Sequence, residues 1–133
     1  MSDLCERLQD LAEAGVYRLS CPVEVLRGNV ALSELRSFEL DLANVHSKGE
    51  FLAAVAHAIQ APDWFGHNFD ALADALCDLS WLEQIDSGYV LLLLNSGETL
   101  GMTAADHAIV TDIFNDAVNC WKTAGKPFWV FLA

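Results

Sequence analysis

Two uninterrupted apolar runs, Tyr89 to Leu94 and Phe128 to Leu132, constrain this chain more than any other feature. A strand with one wet face alternates apolar and polar residues. A run without alternation belongs to a strand covered on both faces. Between the runs lies a segment of helical period, with Ile109, Val110, Ile113, Phe114, Ala117, Val118 and Trp121 in register. Thr103 with Asp106 opens it like a capping box, Gly125 suits the position just past its end, and Pro127 blocks continuation. A strand, a long helix and a second strand imply a parallel pair joined by a right-handed crossover.

The preceding residues extend that pattern. Phe38-Glu39-Leu40-Asp41-Leu42 alternates with period two and predicts a half-buried strand. Ser47 and Glu50 form a capping box for a helix carrying Phe51, Leu52, Val55 and Ile59, and Pro62 closes the segment. Asn68 is a good N-cap for a further helix, with Phe69, Leu72, Leu76 and Leu79 on one side. The order strand, two helices, strand, helix, strand predicts an α/β fold: a small three-stranded parallel sheet packed with helices, occupying residues 36–133. Residues 1–35 read as an N-terminal extension. Ser2 is positioned to cap a helix to about Ala14, with Leu4, Leu8 and Leu11 on one side. Val16–Leu19 and Val23–Leu26 are expected as short strands, and adding a strand to the sheet edge is one use for the extension.

A chain of 133 residues suits one domain, and 53% apolar residues can fill its core. The charge is lopsided: the net is −12, and no lysine or arginine stands between Lys48 and Lys122 while eleven acids do. Such a field repels nucleic acid and anionic membranes, and it speeds encounter with a basic partner. Solubility alone also accounts for net acidity. Cys5, Cys21, Cys77 and Cys120 show no C-x-x-C or metal-ligand spacing. The first residues show no basic and apolar pattern of a signal peptide, and no apolar run approaches the ~20 residues a membrane helix needs. A cytoplasmic protein with reduced, packed thiols is the expectation.

At ~100° per residue, Asp70, Asp74 and Asp78 fall on the side of their helix opposite Leu72 and Leu76. Like charges at i,i+4 destabilise a helix by ~0.2–0.5 kcal/mol per pair. A helix that tolerates them is either presenting carboxylates to an external cation or exposing a solvated face. The adjoining Trp64-Phe65-Gly66 offers an aromatic interface anchor, or rings that cap the core. Catalysis by paired carboxylates needs one of them held protonated, and exposed aspartates give no sign of that. His46, His57, His67 and His107 are scattered, and no nucleophile elbow, phosphate loop or zinc motif is present. No enzymatic activity, catalytic residue, metal or cofactor is expected.

The run Ala61-Pro62-Asp63-Trp64-Phe65-Gly66-His67-Asn68-Phe69-Asp70-Ala71-Leu72-Ala73-Asp74-Ala75-Leu76 resembles the binding region of the barstar family, intracellular inhibitors of small basic bacterial ribonucleases. The likeness extends over roughly Arg36 to Ala133, including the element order. It implies a barstar-like fold and a protein that blocks a barnase-type active site through an acidic helix and adjoining loop. By position, it implies that Asp74 enters the pocket for substrate phosphate and Asp70 meets basic side chains at the rim. Trp64 packs on the enzyme's histidine, Gly66 and Asn68 shape the binding loop, and Asp116, or else Cys120, makes a contact from the late helix. Ala73 stands where the family pattern has a large aromatic, His67 replaces an acid, and the stretch from Asp74 to Trp81 is two residues longer. The expected partner is therefore a basic, extracellular-type ribonuclease or another basic protein, with no nucleic acid and no membrane, met by a monomer. Mimicry of nucleic acid by the whole acidic surface is a third reading.

Overall fold

The structure is a computed structural model that describes residues 7–62, 66, 68–82, 87–97 and 102–133. Strand β1 spans Val16–Arg18, helix α1 Val23–Leu32, strand β2 Arg36–Asp41 and helix α2 Lys48–Ala58. Helix α3 spans Phe69–Asp78, strand β3 Tyr89–Leu94, helix α4 Ala104–Thr123 and strand β4 Phe128–Leu132. The sheet is ordered β1-β4-β3-β2 and every neighbouring pair is parallel.

The fold is α/β as expected, but the sheet has four strands rather than three. The fourth, β1, comes from the extension and occupies the free edge of β4, with Val16 opposite Val130 and Arg18 opposite Leu132. Val130 N–H donates to the Gly15 carbonyl at 3.0 Å, and Leu19 N–H donates to the Leu132 carbonyl at 2.9 Å. The edge groups of a long, apolar strand are thereby paired instead of left open to another chain.

The apolar runs are explained by layers on both faces of the sheet. Register places Phe38, Leu40, Tyr89, Leu91 and Leu93 on one face, beneath α2 and α4, and α3 packs on α4. There the Tyr89 ring lies 4.8 Å from that of Trp121 and 6.1 Å from that of Phe38. Val90, Leu92, Trp129 and Phe131 form the other face. The extension lies over it: Leu26 and Val30 of α1 are buried and line one cavity together with Val90 and Leu92, and the Tyr17 ring stands 5.9 Å from Trp129. Trp129 is wholly buried, and its indole N–H donates to the Leu8 carbonyl at 2.8 Å. That bond supplies the partner a buried indole requires.

Within the extension two expectations are corrected. Val23–Leu32 is a helix, not a strand. Pro22 immediately precedes its first helical position, Glu24 lies in its first turn, and Leu26 and Val30 at i,i+4 are the buried pair. The alternation of Val23 and Val25 imitates a strand only because the window is short. The helix expected to reach Ala14 is, in its described part, a turn at Arg7–Asp10 followed by a 3-10 turn, Leu11–Glu13. Asp10 Oδ1 accepts from Ala12 N–H at 3.1 Å, and this side-chain bond competes with a continuous helical ladder. Residues 1–6 lie outside the described residues.

Downstream, the elements follow their signals. Ser47 Oγ accepts from Glu50 N–H at 3.2 Å, and Thr103 Oγ1 from Asp106 N–H at the same distance. Gly88 marks the point where three strands begin. A Cβ there would stand 2.6 Å from the Pro127 carbonyl oxygen and 2.9 Å from Leu35 Cδ2. Gly88→Ala should therefore cost about 1–3 kcal/mol through forced displacement. Urea unfolding measures it, and an unchanged midpoint would mean that Pro127 and Leu35 yield freely.

Candidate functional site

The acidic face is built on a short helix with well-defined ends. Asn68 is extended, and its Oδ1 accepts from Ala71 N–H at 2.8 Å, as a capping asparagine does. Its own N–H donates to the Gly66 carbonyl at 2.8 Å. A Cβ on Gly66 would lie 3.0 Å from the Asn68 side-chain nitrogen, a tight approach to the residue that caps α3. At the other end Leu79 closes α3 in the left-handed region, at φ 51°, with its side chain buried. Leu72, Ala75 and Leu76 face the core.

Asp70, Asp74 and Asp78 are all exposed on the outer side. Among the described residues none of the three forms an ion pair. They differ in one respect: the Asp78 carboxylate accepts from the Ser80 hydroxyl at 2.9 Å, whereas among the described residues no such side-chain bond engages Asp70 or Asp74. Lys48, at the start of α2, stands 4.3 Å over the Phe69 ring, a cation–π contact beside the first turn of α3. This cation lies too far away in sequence for charge patterning to place it.

Asp116 is exposed on α4, whose inner side buries Ile113, Phe114, Ala117 and Val118. Trp121 Nε1 donates to the Leu76 carbonyl at 2.7 Å and ties α4 to α3. Trp81 turns inward, donating from Nε1 to the Ile59 carbonyl at 2.9 Å, so its indole secures the end of α2. Trp64, with Asp63, Phe65 and His67, lies outside the described residues.

The expectation of reduced, packed thiols is overturned. Cys77 of α3 and Cys120 of α4 form a disulfide, with Cα atoms 5.8 Å apart, and Cys21 is disulfide-bonded as well. Cys120 is exposed and Cys77 half-buried. The pair is 43 residues apart, and only the packing of α3 on α4 brings them together. The sequence carries a faint signal: Leu76-Cys77 and Cys120-Trp121 each set a cysteine beside a core residue, where two packed helices can meet. With both sulfurs engaged, Cys120 presents a disulfide sulfur on α4 rather than a free thiol.

Exposed carboxylates on a capped helix can accept from cations of a partner protein. Among the described residues, no group of three or more histidine, cysteine or acidic side chains is arranged to hold a metal ion. Among the same residues, no helix is long and apolar enough to cross a membrane. A family model described as "Barstar (barnase inhibitor)" matches residues 35–133. Comparison with curated proteins gave no match.

Proposed function

Since the chain belongs to the barstar family, we propose that it inhibits a small, basic, barnase-type ribonuclease by occupying its active site. The observation that carries this reading is the pair Asp70 and Asp74, exposed and, among the described residues, without an ion-pair partner, on one capped helix of a chain with net charge −12. Carboxylates so placed imitate substrate phosphates, and the surrounding field steers a basic enzyme toward them.

In this proposal Asp74 is the central anchor, Asp70 pairs with cations at the rim, and Asp116 adds a contact from α4. Asn68 and Gly66 hold the turn that presents α3, and Trp64 supplies the aromatic contact from the loop. The protein does no chemistry of its own and protects the cell that makes the ribonuclease, or that cell's neighbour.

The test is a titration. Purified protein added to a barnase-type ribonuclease should abolish RNA cleavage at one equivalent, with a sharp break. Cleavage undiminished at a tenfold excess would overturn the reading. A second reading, a binding module for a different basic protein, draws on Ala73. That half-buried methyl replaces a large aromatic of the family pattern and removes contact area. It predicts a basic partner captured without ribonuclease inhibition.

A further inference from the structure

The disulfide is placed within the acidic surface rather than away from it. Cys77 follows Asp74 by three residues and Cys120 follows Asp116 by four, so each sulfur lies within about one turn, ~5–6 Å of axial rise, of a proposed contact residue. On a helical wheel Cys77 falls beside Asp70 and Asp74, on the side opposite Leu72. Exposed like charges stand on both helices that the bond joins, with Asp70, Asp74 and Asp78 on α3 and Asp112 and Asp116 on α4. Among the described residues no ion pair neutralises any of them. Repulsion between aspartates four residues apart disfavours each helix, and α3 is only ten residues long. Against this act Leu72, Ala75 and Leu76 in the core, the Trp121 hydrogen bond and the disulfide.

We propose that the Cys77–Cys120 disulfide is a redox-sensitive clasp: oxidised, it holds α3 in binding geometry, and reduced, it lets α3 loosen and the acidic face lose affinity. The affinity half of this proposal rests on the inhibitor reading above; the hold on α3 does not. The reductant is a low-molecular-weight thiol. Its thiolate attacks the sulfur of Cys120, the more exposed residue of the pair, breaking the S–S bond, forming a mixed disulfide and releasing Cys77 as a thiolate that takes up a proton. A second thiolate frees Cys120 and leaves as the oxidised low-molecular-weight disulfide. Two electrons pass from two thiols to one protein disulfide. Exposure of Cys120 gives the reagent its entry.

The experiment compares the full chain with the double variant Cys77→Ser/Cys120→Ser. The variant is needed because Cys21 is also disulfide-bonded and a reductant would act on both bonds. Amide hydrogen exchange is read separately for α3 and for β3 and β4, and binding to a barnase-type ribonuclease is measured by calorimetry. The expected result is exchange in α3 about tenfold faster with β3 and β4 unchanged, and affinity about tenfold lower, a typical size of coupling between linked elements. In the native chain, affinity should follow the oxidised fraction of Cys77–Cys120 across a monothiol redox buffer. Unchanged exchange in α3 overturns the clasp, as does faster exchange with unchanged affinity. Faster exchange throughout β3 and β4 also overturns it, since the bond would then be a staple of the whole fold. If neither form binds the ribonuclease, the inhibitor reading fails, and the exchange data alone decide whether the bond holds α3.

Discussion

A chain beginning at residue 35 should fail to fold as a stable monomer. The family match begins at that residue, so homology suggests a sufficient unit. The packing argues otherwise. Without residues 1–34, the face carrying Val90, Leu92, Trp129 and Phe131 loses Leu8, Tyr17, Leu26 and Val30. Those four face residues are 0–2% exposed in the full chain. Exposing an apolar side chain costs ~1.5–3 kcal/mol, so four cost on the order of 6–12 kcal/mol. That equals the whole stability of an ordinary domain, about 5–15 kcal/mol. The edge of β4 would open at the same time. Circular dichroism on heating and binding of an apolar dye should show lost cooperativity and exposed surface. A truncated chain that melts cooperatively within a few degrees of the full one would refute the prediction. It would also show that the extension is a separable appendage.

The second large effect concerns affinity without stability. Asp74→Ala should weaken a ribonuclease complex by at least ~2 kcal/mol, about 30-fold in Kd, as truncation of a central interface anchor does. The loss arises because a desolvated cation of the enzyme would be left without its carboxylate. Asp78→Ala should change affinity far less, since that carboxylate already accepts from Ser80. Asp74 is exposed and lies at i,i+4 from both Asp70 and Asp78. Removing it relieves like-charge repulsion, so unfolding stability should stay level or rise by a few tenths of a kcal/mol. Calorimetric titration of the two variants, with thermal melts beside it, separates the quantities. Equal losses at Asp74 and Asp78 would sink the anchor assignment.

What could be read without coordinates follows from the range of each signal. The runs at Tyr89 and Phe128 announced strands covered on both faces, because lack of alternation is a local property with one physical cause. Ser47, Asn68 and Thr103 marked helix starts because a cap is decided within three residues. Asp70, Asp74 and Asp78 were legible as one outer side because α3 is regular. Non-local facts stayed hidden. No spacing rule joins Cys77 to Cys120, sets Lys48 on Phe69, or turns Trp81 toward Ile59. Val23 to Leu26 misled because four residues hold barely one helical turn, too little for a period to show. The layer that the apolar runs required was predicted in kind but not in source. It comes from the extension, for which the sequence offered only an edge strand.

The pairing of β1 with β4 has a consequence for how the molecule is made. Bonds such as that from Trp129 to Leu8 span 121 residues, and the register joins Val16 to Val130. Closing so long a loop costs entropy before any contact rewards it, and sheets of non-local pairs assemble slowly. Until β4 arrives between β1 and β3, Val90 and Leu92 have no Trp129 or Phe131 beside them. The nascent chain therefore passes through a sticky interval, and yield in a cell should depend on chaperone supply more than on final stability.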